Sequence, residues 1–195
     1  MRVLELAPDD GALRFARGRT AIRPVRPSDA EVLSALRMAN RAHLEPWEPV
    51  RPDTFFTVAG QALSIAGALA EWKGGARYAF MVCDAAEDDR PLGNVTVANV
   101  VRGAWRSATL GYWIAADDCG RGHATTATQL AVAFAFAHAG LHRVQAAVLP
   151  RNTASARVLE KAGFRREGHA LRYLEIAGRW EDHDLYAVTA EDVPG

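Results

Sequence analysis

A glycine-containing loop at residues 120–125 constrains the fold of this chain more than any other feature. The loop reads Gly-Arg-Gly-His-Ala-Thr and lies between an apolar, strand-like stretch at 108–116 and an alanine-rich, helical stretch at 124–139. After Gly140, residues 143–149 alternate in polarity as a second strand does. A strand, a helix and a strand in this order predict a βαβ crossover at the centre of the domain.

Two helices are predicted ahead of this crossover. The first is predicted to begin at a capping-box pair, Ser28 and Glu31. Its apolar face is predicted to consist of Val32, Ala35, Leu36 and Ala39. After a proline-rich loop at 40–52, the second helix is predicted to take Asp53 as its N-cap and to run to residue 72, where a pair of glycines ends it.

The remaining strands predict a sheet that is mostly antiparallel. One strand is expected at 20–25, and three more at 77–83, 92–100 and 104–116 form a meander. A short helix at 152–161 and two strands at 164–176 and 179–189 follow the crossover. We therefore predict one α+β domain spanning 1–195, with a mixed central sheet flanked by about four helices. An extra hairpin within residues 1–18 is expected to precede it, with its turn at 8–11.

Composition excludes several function classes. The 23 Lys and Arg residues balance 23 Asp and Glu, so no overall basic field is available to hold nucleic acid or a membrane surface. The two cysteines, Cys83 and Cys119, form no CxxC motif, which predicts neither a disulfide framework nor a zinc cluster. His138 and His142 have a zinc-like spacing, but Gly140 breaks the helix between them, so no metal is expected. The first ten residues lack the apolar core of a secretory signal, and we expect a soluble, cytoplasmic protein.

The glycine loop points to phosphate chemistry. A glycine loop that opens a helix exposes backbone N–H groups at the positive end of the helix dipole, where phosphate oxygens bind. The dinucleotide fingerprint would require glycine where Thr125 stands, and the Gly-Lys pair of a P-loop is absent. Both common nucleotide motifs are therefore excluded.

Further motifs extend this pattern into a family resemblance. Residues 152–164 read Asn-Thr-Ala-Ser-Ala-Arg-Val-Leu-Glu-Lys-Ala-Gly-Phe, and residues 111–114 read Gly-Tyr-Trp-Ile. With the glycine loop, they resemble the acyl-CoA-dependent N-acetyltransferase superfamily known as GNAT, and within it the RimJ/RimL group of protein N-terminal acetyltransferases. The segments 43–49 and 178–183 also match that group, so the resemblance covers about residues 19–193. It implies the GNAT fold and acetyl-CoA as acetyl donor.

The resemblance implies a set of cofactor-binding residues. The family's phosphate loop, Gln/Arg-x-x-Gly-x-Gly/Ala, falls on 119–124, where Gly122 and Ala124 match and Cys119 departs from the pattern. Pantetheine is expected to insert between two splayed strands, 113–115 and 143–149. The implied contacts are Trp113, Ile114 and Ala115 on the strand; Gly120, Arg121, Gly122, His123, Ala124 and Thr125 in the loop; and Asn152 and Ser155.

Catalytic roles follow from the same resemblance. Ser155 is expected to orient the thioester and to protonate the departing thiolate. Thr109 and Thr126 stand where relatives often carry Glu, so Glu175 is our candidate for the general base, with Glu45 and Asp182 as rivals. Leu44, Glu45 and Trp47 are expected to line the acceptor groove. Simpler interpretations stay open: Asn152 as a plain N-cap, Trp47 as core packing, and each carboxylate as a solvated surface group.

Three functions are compatible with these residues. The first is acetylation of the α-amine at a protein N-terminus, including that of a ribosomal protein, by direct attack in a ternary complex. The second is acetylation of a small amine such as a polyamine, an amino acid or an aminoglycoside, and an acidic groove would favour it because such acceptors are mostly cationic. The third is a CoA-binding module without turnover. Neither nucleic acid nor membrane is expected as a partner, and the protein is expected to be a monomer or a homodimer.

Overall fold

Eight strands form one mixed sheet in the computed structural model, which describes residues 13–193. Their spatial order is β1-β2-β3-β4-β5-β6-β8-β7, and all neighbours pair antiparallel except β5 and β6. The strands are β1 (Phe15–Arg17), β2 (Thr20–Pro24), β3 (Tyr78–Asp84), β4 (Arg90–Val101), β5 (Ser107–Ile114), β6 (Arg143–Val148), β7 (Arg165–Ile176) and β8 (Arg179–Thr189). The predicted α+β class and meander are confirmed, and the single parallel pair is the predicted crossover.

Five α-helices lie within the described residues, against about four predicted. They are α1 (Ala30–Ala39), α2 (Arg41–Leu44), α3 (Val58–Lys73), α4 (His123–Ala137) and α5 (Thr153–Lys161). The additional helix, α2, falls in the segment predicted to be loop. The predicted N-terminal hairpin lies mostly in residues 1–12, outside the described part of the chain.

The sheet is buried on both faces at its centre. Every residue of β3 is buried, and its alternate side chains enter two different cores. Phe80 packs in the core that contains α4, whereas Met81 packs in the core that contains α1 and α3. A strand covered on both faces reads as a continuous apolar run, which explains the sequence of β3.

The predicted start of α1 is wrong, and of its predicted apolar face Leu36 alone packs against the core. Ser28 lies inside a 3-10 turn, Pro27–Asp29, and the helix begins after it. Asp29 accepts hydrogen bonds from Arg23 at 2.8 Å and from the backbone N–H of Arg26 at 2.7 Å. This buried contact holds Asp29 in place as the N-cap residue of α1. The inward residues are Ala30 and Leu33, while Val32, Ala35 and Ala39 are exposed and Leu36 is half-buried.

The N-cap of the next long helix also differs from the prediction. Thr57 caps α3, because its Oγ1 accepts a hydrogen bond from the N–H of Gly60 at 3.1 Å. Asp53 instead begins a separate 3-10 turn and pairs with Arg41 at 2.9 Å. With this short turn in between, the helix begins four residues later than predicted.

Candidate active site

A gap opens between the two parallel strands at the centre of the sheet. β5 and β6 pair only at Ser107 with Arg143, Ala108 with Val144 and Thr109 with Gln145. β5 nevertheless continues to Ile114, and β6 continues to Val148. The strands therefore separate beyond residue 109, which is the arrangement expected for a slot that accepts an extended, amide-bearing arm.

Strand alternation identifies which backbone groups face this gap. The N–H of Ala115 donates to the carbonyl of Leu92 at 2.8 Å, and the β4–β5 register is continuous from there. In an antiparallel pair every second residue bonds to the same neighbour, so Trp113 also bonds toward β4. Consistent with this, a Cβ on Gly93 would lie 2.1 Å from the Trp113 carbonyl oxygen, so only glycine fits there. The N–H and C=O groups that face the gap belong to Tyr112 and Ile114.

The glycine loop leaves an open surface at the start of α4. Gly120 and Gly122 have φ values of 77° and 88°, a conformation that L side chains rarely adopt. Gly122 is the N-cap residue of α4, and no side chain caps the helix there. A Cβ on either glycine would meet no atom within 4 Å. The first-turn amides therefore have no side-chain capping acceptor among the described residues, which leaves them available to an anion.

Two buried contacts hold this loop in place. Asp118 accepts hydrogen bonds from both terminal nitrogens of Arg90, at 2.9 and 3.0 Å, and Arg121 lies 3.4 Å from the same carboxylate. These bonds to Arg90 lower the pKa of Asp118. The ring of His123 is buried, with Nδ1 3.0 Å from the Oγ1 of Thr20. His123 can thus contact a ligand through its backbone, while its side chain anchors the loop.

A tyrosine and a serine meet at the inner end of the gap. The Oγ of Ser155 lies 2.8 Å from the Oη of Tyr112, which also donates to the Ser155 carbonyl at 3.1 Å. Burial raises the pKa of Tyr112 to about 12, although the Ser155 contact acts in the opposite direction. Tyr112 is therefore a protonated donor near neutral pH. Asn152 caps α5, because its Oδ1 accepts the N–H of Ser155 at 3.0 Å.

Tyr112 is the site residue that sequence reasoning missed. It lies within the Gly-Tyr-Trp-Ile motif, but its partner Ser155 is 43 residues further along the chain. Alternation along β5 puts Trp113 in the core with α1 and α3, and leaves Tyr112 on the opposite face with α5. In the sequence, that alternation was the one signal that could have identified Tyr112 as a site residue.

The predicted acceptor loop lies against the β7–β8 hairpin. The N–H of Ala177, at the hairpin turn, donates to the carbonyl of Glu48 at 3.0 Å. Arg151 donates to the carbonyl of Pro46 at 3.3 Å and pairs with Glu181 at 3.1 Å. Its guanidinium lies 5.7 Å from the ring centre of Trp47. These contacts place the loop beside the residue that precedes Asn152.

The predicted acceptor residues differ in exposure. Leu44 is only 6% exposed and packs in the core with α1 and α3, so it gives packing rather than groove surface. Glu45 is exposed, and Trp47 is half-buried under Arg151. The loop can therefore contact an acceptor through residues 45 and 47.

None of the candidate bases contacts the Tyr112–Ser155 pair among the described residues. Glu175 is exposed on β7, opposite Trp180 in the β8 register. Asp182 accepts the N–H of Arg172 at 2.8 Å, which lowers the pKa of its carboxyl group. Thr109, which stands where relatives often carry Glu, donates a hydrogen bond to the carbonyl of Ala98 at 3.2 Å and so stabilises the β4–β5 pair.

Two further findings concern metals and membranes. Within residues 13–193 no group of three or more His, Cys, Asp or Glu side chains is arranged to hold a metal ion. His138 stacks on Phe134, with ring centres 5.7 Å apart, and His142 lies 2.8 Å from Glu191. No helix in the same range is both long and apolar enough to cross a membrane.

Comparison with known proteins adds independent findings. A family model described as Acetyltransferase (GNAT) domain matches residues 19–165. The probable N-acetyltransferase YjcK of Bacillus subtilis is 38% identical over 177 residues, covering 90% of this chain and 97% of that protein. The ribosomal protein uS5-alanine N-acetyltransferase of Escherichia coli is 34% identical over 185 residues, covering 94% of each chain. The structure of Mycobacterium smegmatis RimJ in complex with CoA-disulfide is 40% identical, with a TM-score of 0.85, and the match covers 90% of this chain and 84% of that one.

Proposed function

The chain belongs to the GNAT family of acetyl-CoA-dependent N-acetyltransferases, in its RimJ/RimL-like group, and we propose that it acetylates the α-amine at the N-terminus of a protein. The observation that carries this proposal is the Tyr112–Ser155 pair at the inner end of a gap between two strands. A ribosomal protein is the acceptor class we favour, because the E. coli relative is named for one. We propose the cytoplasm as the location of the reaction, because the favoured acceptor is a ribosomal protein.

The residues present fit acetyl-CoA. The amides at the start of α4 would bind its pyrophosphate, and the backbone groups of Tyr112 and Ile114 would pair with its pantetheine arm. When bound, acetyl-CoA supplies an activated acetyl thioester. Ser155 would donate its O–H to the sulfur as the thiolate leaves, which lowers the energy of the developing charge, while Tyr112 donates its own O–H to Ser155 and holds that residue in position.

The amine must be neutral to attack the thioester carbonyl. An α-amine has a pKa of about 8, against about 10.4 for a lysine side chain, so about a tenth of it is already neutral at pH 7. An acceptor of this kind needs only a weak base or a chain of water molecules. The absence of a carboxylate in contact with Tyr112 or Ser155, among the described residues, is consistent with this acceptor.

A cationic small-molecule acceptor is the weaker candidate. On the α1–α3 face of the sheet, a cavity beside β5 is lined by Arg37, Arg51 and Arg77, and within residues 13–193 no Asp or Glu lines it. Polyamines and aminoglycosides carry several positive charges and would be repelled there. The paired hydroxyls of Tyr112 and Ser155 argue against a module that binds CoA without turnover.

The test uses the purified full chain with acetyl-CoA and short peptides that begin with alanine. We expect release of free CoA thiol only when the peptide has a free N-terminus, and mass spectrometry should locate the acetyl group on that amine. The matched control is the same peptide with a blocked N-terminus and an internal lysine. Acetylation of the lysine alone, or transfer to spermidine but to no peptide, would contradict the proposal.

A further inference from the structure

The cavity on the α1–α3 face is about 230 Å³ in volume and lies behind the strand that carries Tyr112. We call it the arginine cavity. Among the described residues, its polar lining contains three guanidinium groups and no carboxylate. The polar and charged lining residues are Arg37, Arg51, Gln61, Ser64, Arg77 and Asn94. A concave site with such a lining favours an anion.

Two donor atoms of the lining have no hydrogen-bond partner among the described residues. They are the indole Nε1 of Trp113, a residue only 7% exposed, and the Nε of Arg77. Buried donors are almost always paired, because an unpaired one loses its contact with water and gains nothing in return. The lining therefore holds two donor groups that no acceptor of the described chain satisfies.

The arginines are only partly neutralised. Arg37 donates to Glu48 at 2.6 and 2.8 Å and lies 4.2 Å from the ring centre of Trp113. Arg77 lies 3.5 Å from Glu71. Arg51 is exposed and stacks at 4.9 Å on Phe55, and among the described residues it has no carboxylate partner. Of the three positive charges, at least one remains free for a ligand.

The electrostatics of Arg37 agree with this excess of positive charge. Burial lowers the pKa of Arg37, and the neighbouring charge of Arg51 acts in the same direction, against the opposing effect of Glu48. An anion placed among these groups would relieve that repulsion.

The arginine cavity adjoins the predicted acceptor loop, because Arg37 in its lining pairs with Glu48. Trp113 lines it and is the neighbour of Tyr112 on β5. Arg37 connects the cavity to Glu48, whose carbonyl contacts the β7–β8 turn. Gly111, the residue before Tyr112 on β5, is exposed, and a Cβ placed on it would meet no atom within 4 Å. A peptide can therefore pass close to the β5 backbone on this face.

We propose that the arginine cavity binds a carboxylate of the acceptor, so that preferred acceptors carry an acidic group close to the reacting amine. The inference rests on the proposed function and specifies its substrate class. The carboxylate has two possible sources: an Asp or Glu side chain near the start of a peptide, or the carboxylate of a free amino acid. Both offer the bidentate oxygens that guanidinium groups prefer.

The first experiment compares peptides that share an N-terminal alanine. In each peptide one residue, at position two, three or four, is changed to Glu, Gln or Lys. The value of kcat/KM is then measured for every peptide. We expect the best Glu peptide to exceed its Gln counterpart about tenfold, the size of one charge-assisted hydrogen bond. The preference should weaken at high salt, because Arg51 is exposed to solvent. Free glutamate and aspartate form the second arm, which identifies the source of the carboxylate.

Variants separate recognition from folding. Arg51→Gln should remove the preference for Glu over Gln, and Arg51→Glu should transfer it to the Lys peptide. A structural role for Arg51 predicts lower activity on all peptides alike, without such a reversal. The matched control is Arg106→Gln, which changes an exposed arginine in the β4–β5 turn, at the far end of β5 from the gap. It should keep the wild-type preference.

A binding measurement decides the inference independently of turnover. The indole N–H resonance of Trp113, assigned with Trp113→Phe, is followed while an N-acetylated Glu peptide or its Gln counterpart is added in the presence of CoA. We expect a shift with the Glu peptide at concentrations where the Gln peptide gives none. Equal responses, or peptide turnover without dependence on charge, overturn the carboxylate subsite and leave the proposed function intact. Turnover of free glutamate alone, lost in Arg51→Gln, supports the subsite and overturns the protein acceptor.

Discussion

The hydroxyl pair of Tyr112 and Ser155 is the chemical centre of the site at the scale of single residues. The two oxygens are 2.8 Å apart, within the range of a good O–H···O bond. Tyr112 is half-buried, and burial raises the pKa of its hydroxyl to about 12, so Tyr112 keeps its proton throughout the neutral range. The function of this pair can be tested through its pH dependence.

The first prediction concerns how kcat/KM depends on pH. We expect kcat/KM for an alanine peptide to rise about tenfold per pH unit up to about pH 8, where the acceptor amine becomes neutral, and then to stay level to about pH 10. We expect no fall in kcat/KM from loss of the Tyr112 proton in this range, because the raised pKa of Tyr112 lies above it. Steady-state rates in a mixed buffer of constant ionic strength provide the measurement.

Two substitutions test whether Ser155 and Tyr112 take part in the reaction. Ser155→Ala and Tyr112→Phe should each lower kcat by about 10²-fold, the usual size of lost acid catalysis, and leave the rising limb in place. KM for acetyl-CoA should change little, since the backbone supplies most of the proposed contacts. Thr153→Ala, on the exposed first turn of α5, is the matched control and should retain full activity. A kcat for Ser155→Ala equal to that of the wild type would remove Ser155 from the mechanism.

Elements, rather than side chains, create the place where acetyl-CoA is proposed to bind. β5 leaves β6 after Thr109, and α4 begins at Gly122 without a side-chain cap. Much of this could be predicted from sequence, because a glycine loop, an N-cap such as Asn152 and the alternation of β6 are local signals. What failed depends on contacts between elements. Asp29, the N-cap residue of α1, pairs with Arg23 on β2, and Tyr112 gains its role from Ser155 on α5.

The second prediction tests the alternation of β5 directly. The amide of Trp113 bonds toward β4, whereas those of Tyr112 and Ile114 face the gap. In the free protein we expect the latter two to exchange with solvent faster than Trp113. Addition of CoA should slow their exchange and leave that of Trp113 unchanged, as measured residue by residue with NMR. Protection that appears at Trp113 instead would contradict the assigned alternation.

The whole molecule consists of two parts that share few sheet contacts. The larger part holds β1–β5, and the smaller holds β6, β7 and β8 with α5. Only three register pairs join them within the sheet, and α4 packs against both α5 and β6. A ligand that fills the gap therefore bonds to both parts at once. Binding of CoA should accordingly raise the free energy of unfolding of the whole domain.

The third prediction is the size of that stabilisation. At a CoA concentration about 100 times its Kd, we expect about 2.7 kcal/mol, which for a chain of this length raises Tm by about 5–10 °C. Gly122→Ala should lower the Tm of the free protein, because alanine at a φ of 88° costs about 1–2 kcal/mol, and it should also shrink the rise with CoA. The matched control, Gly67→Ala on the exposed face of α3, should raise the Tm of the free protein and keep the full CoA effect. Thermal unfolding by circular dichroism gives both quantities, and an equal CoA effect in the two variants would contradict a phosphate site at the start of α4.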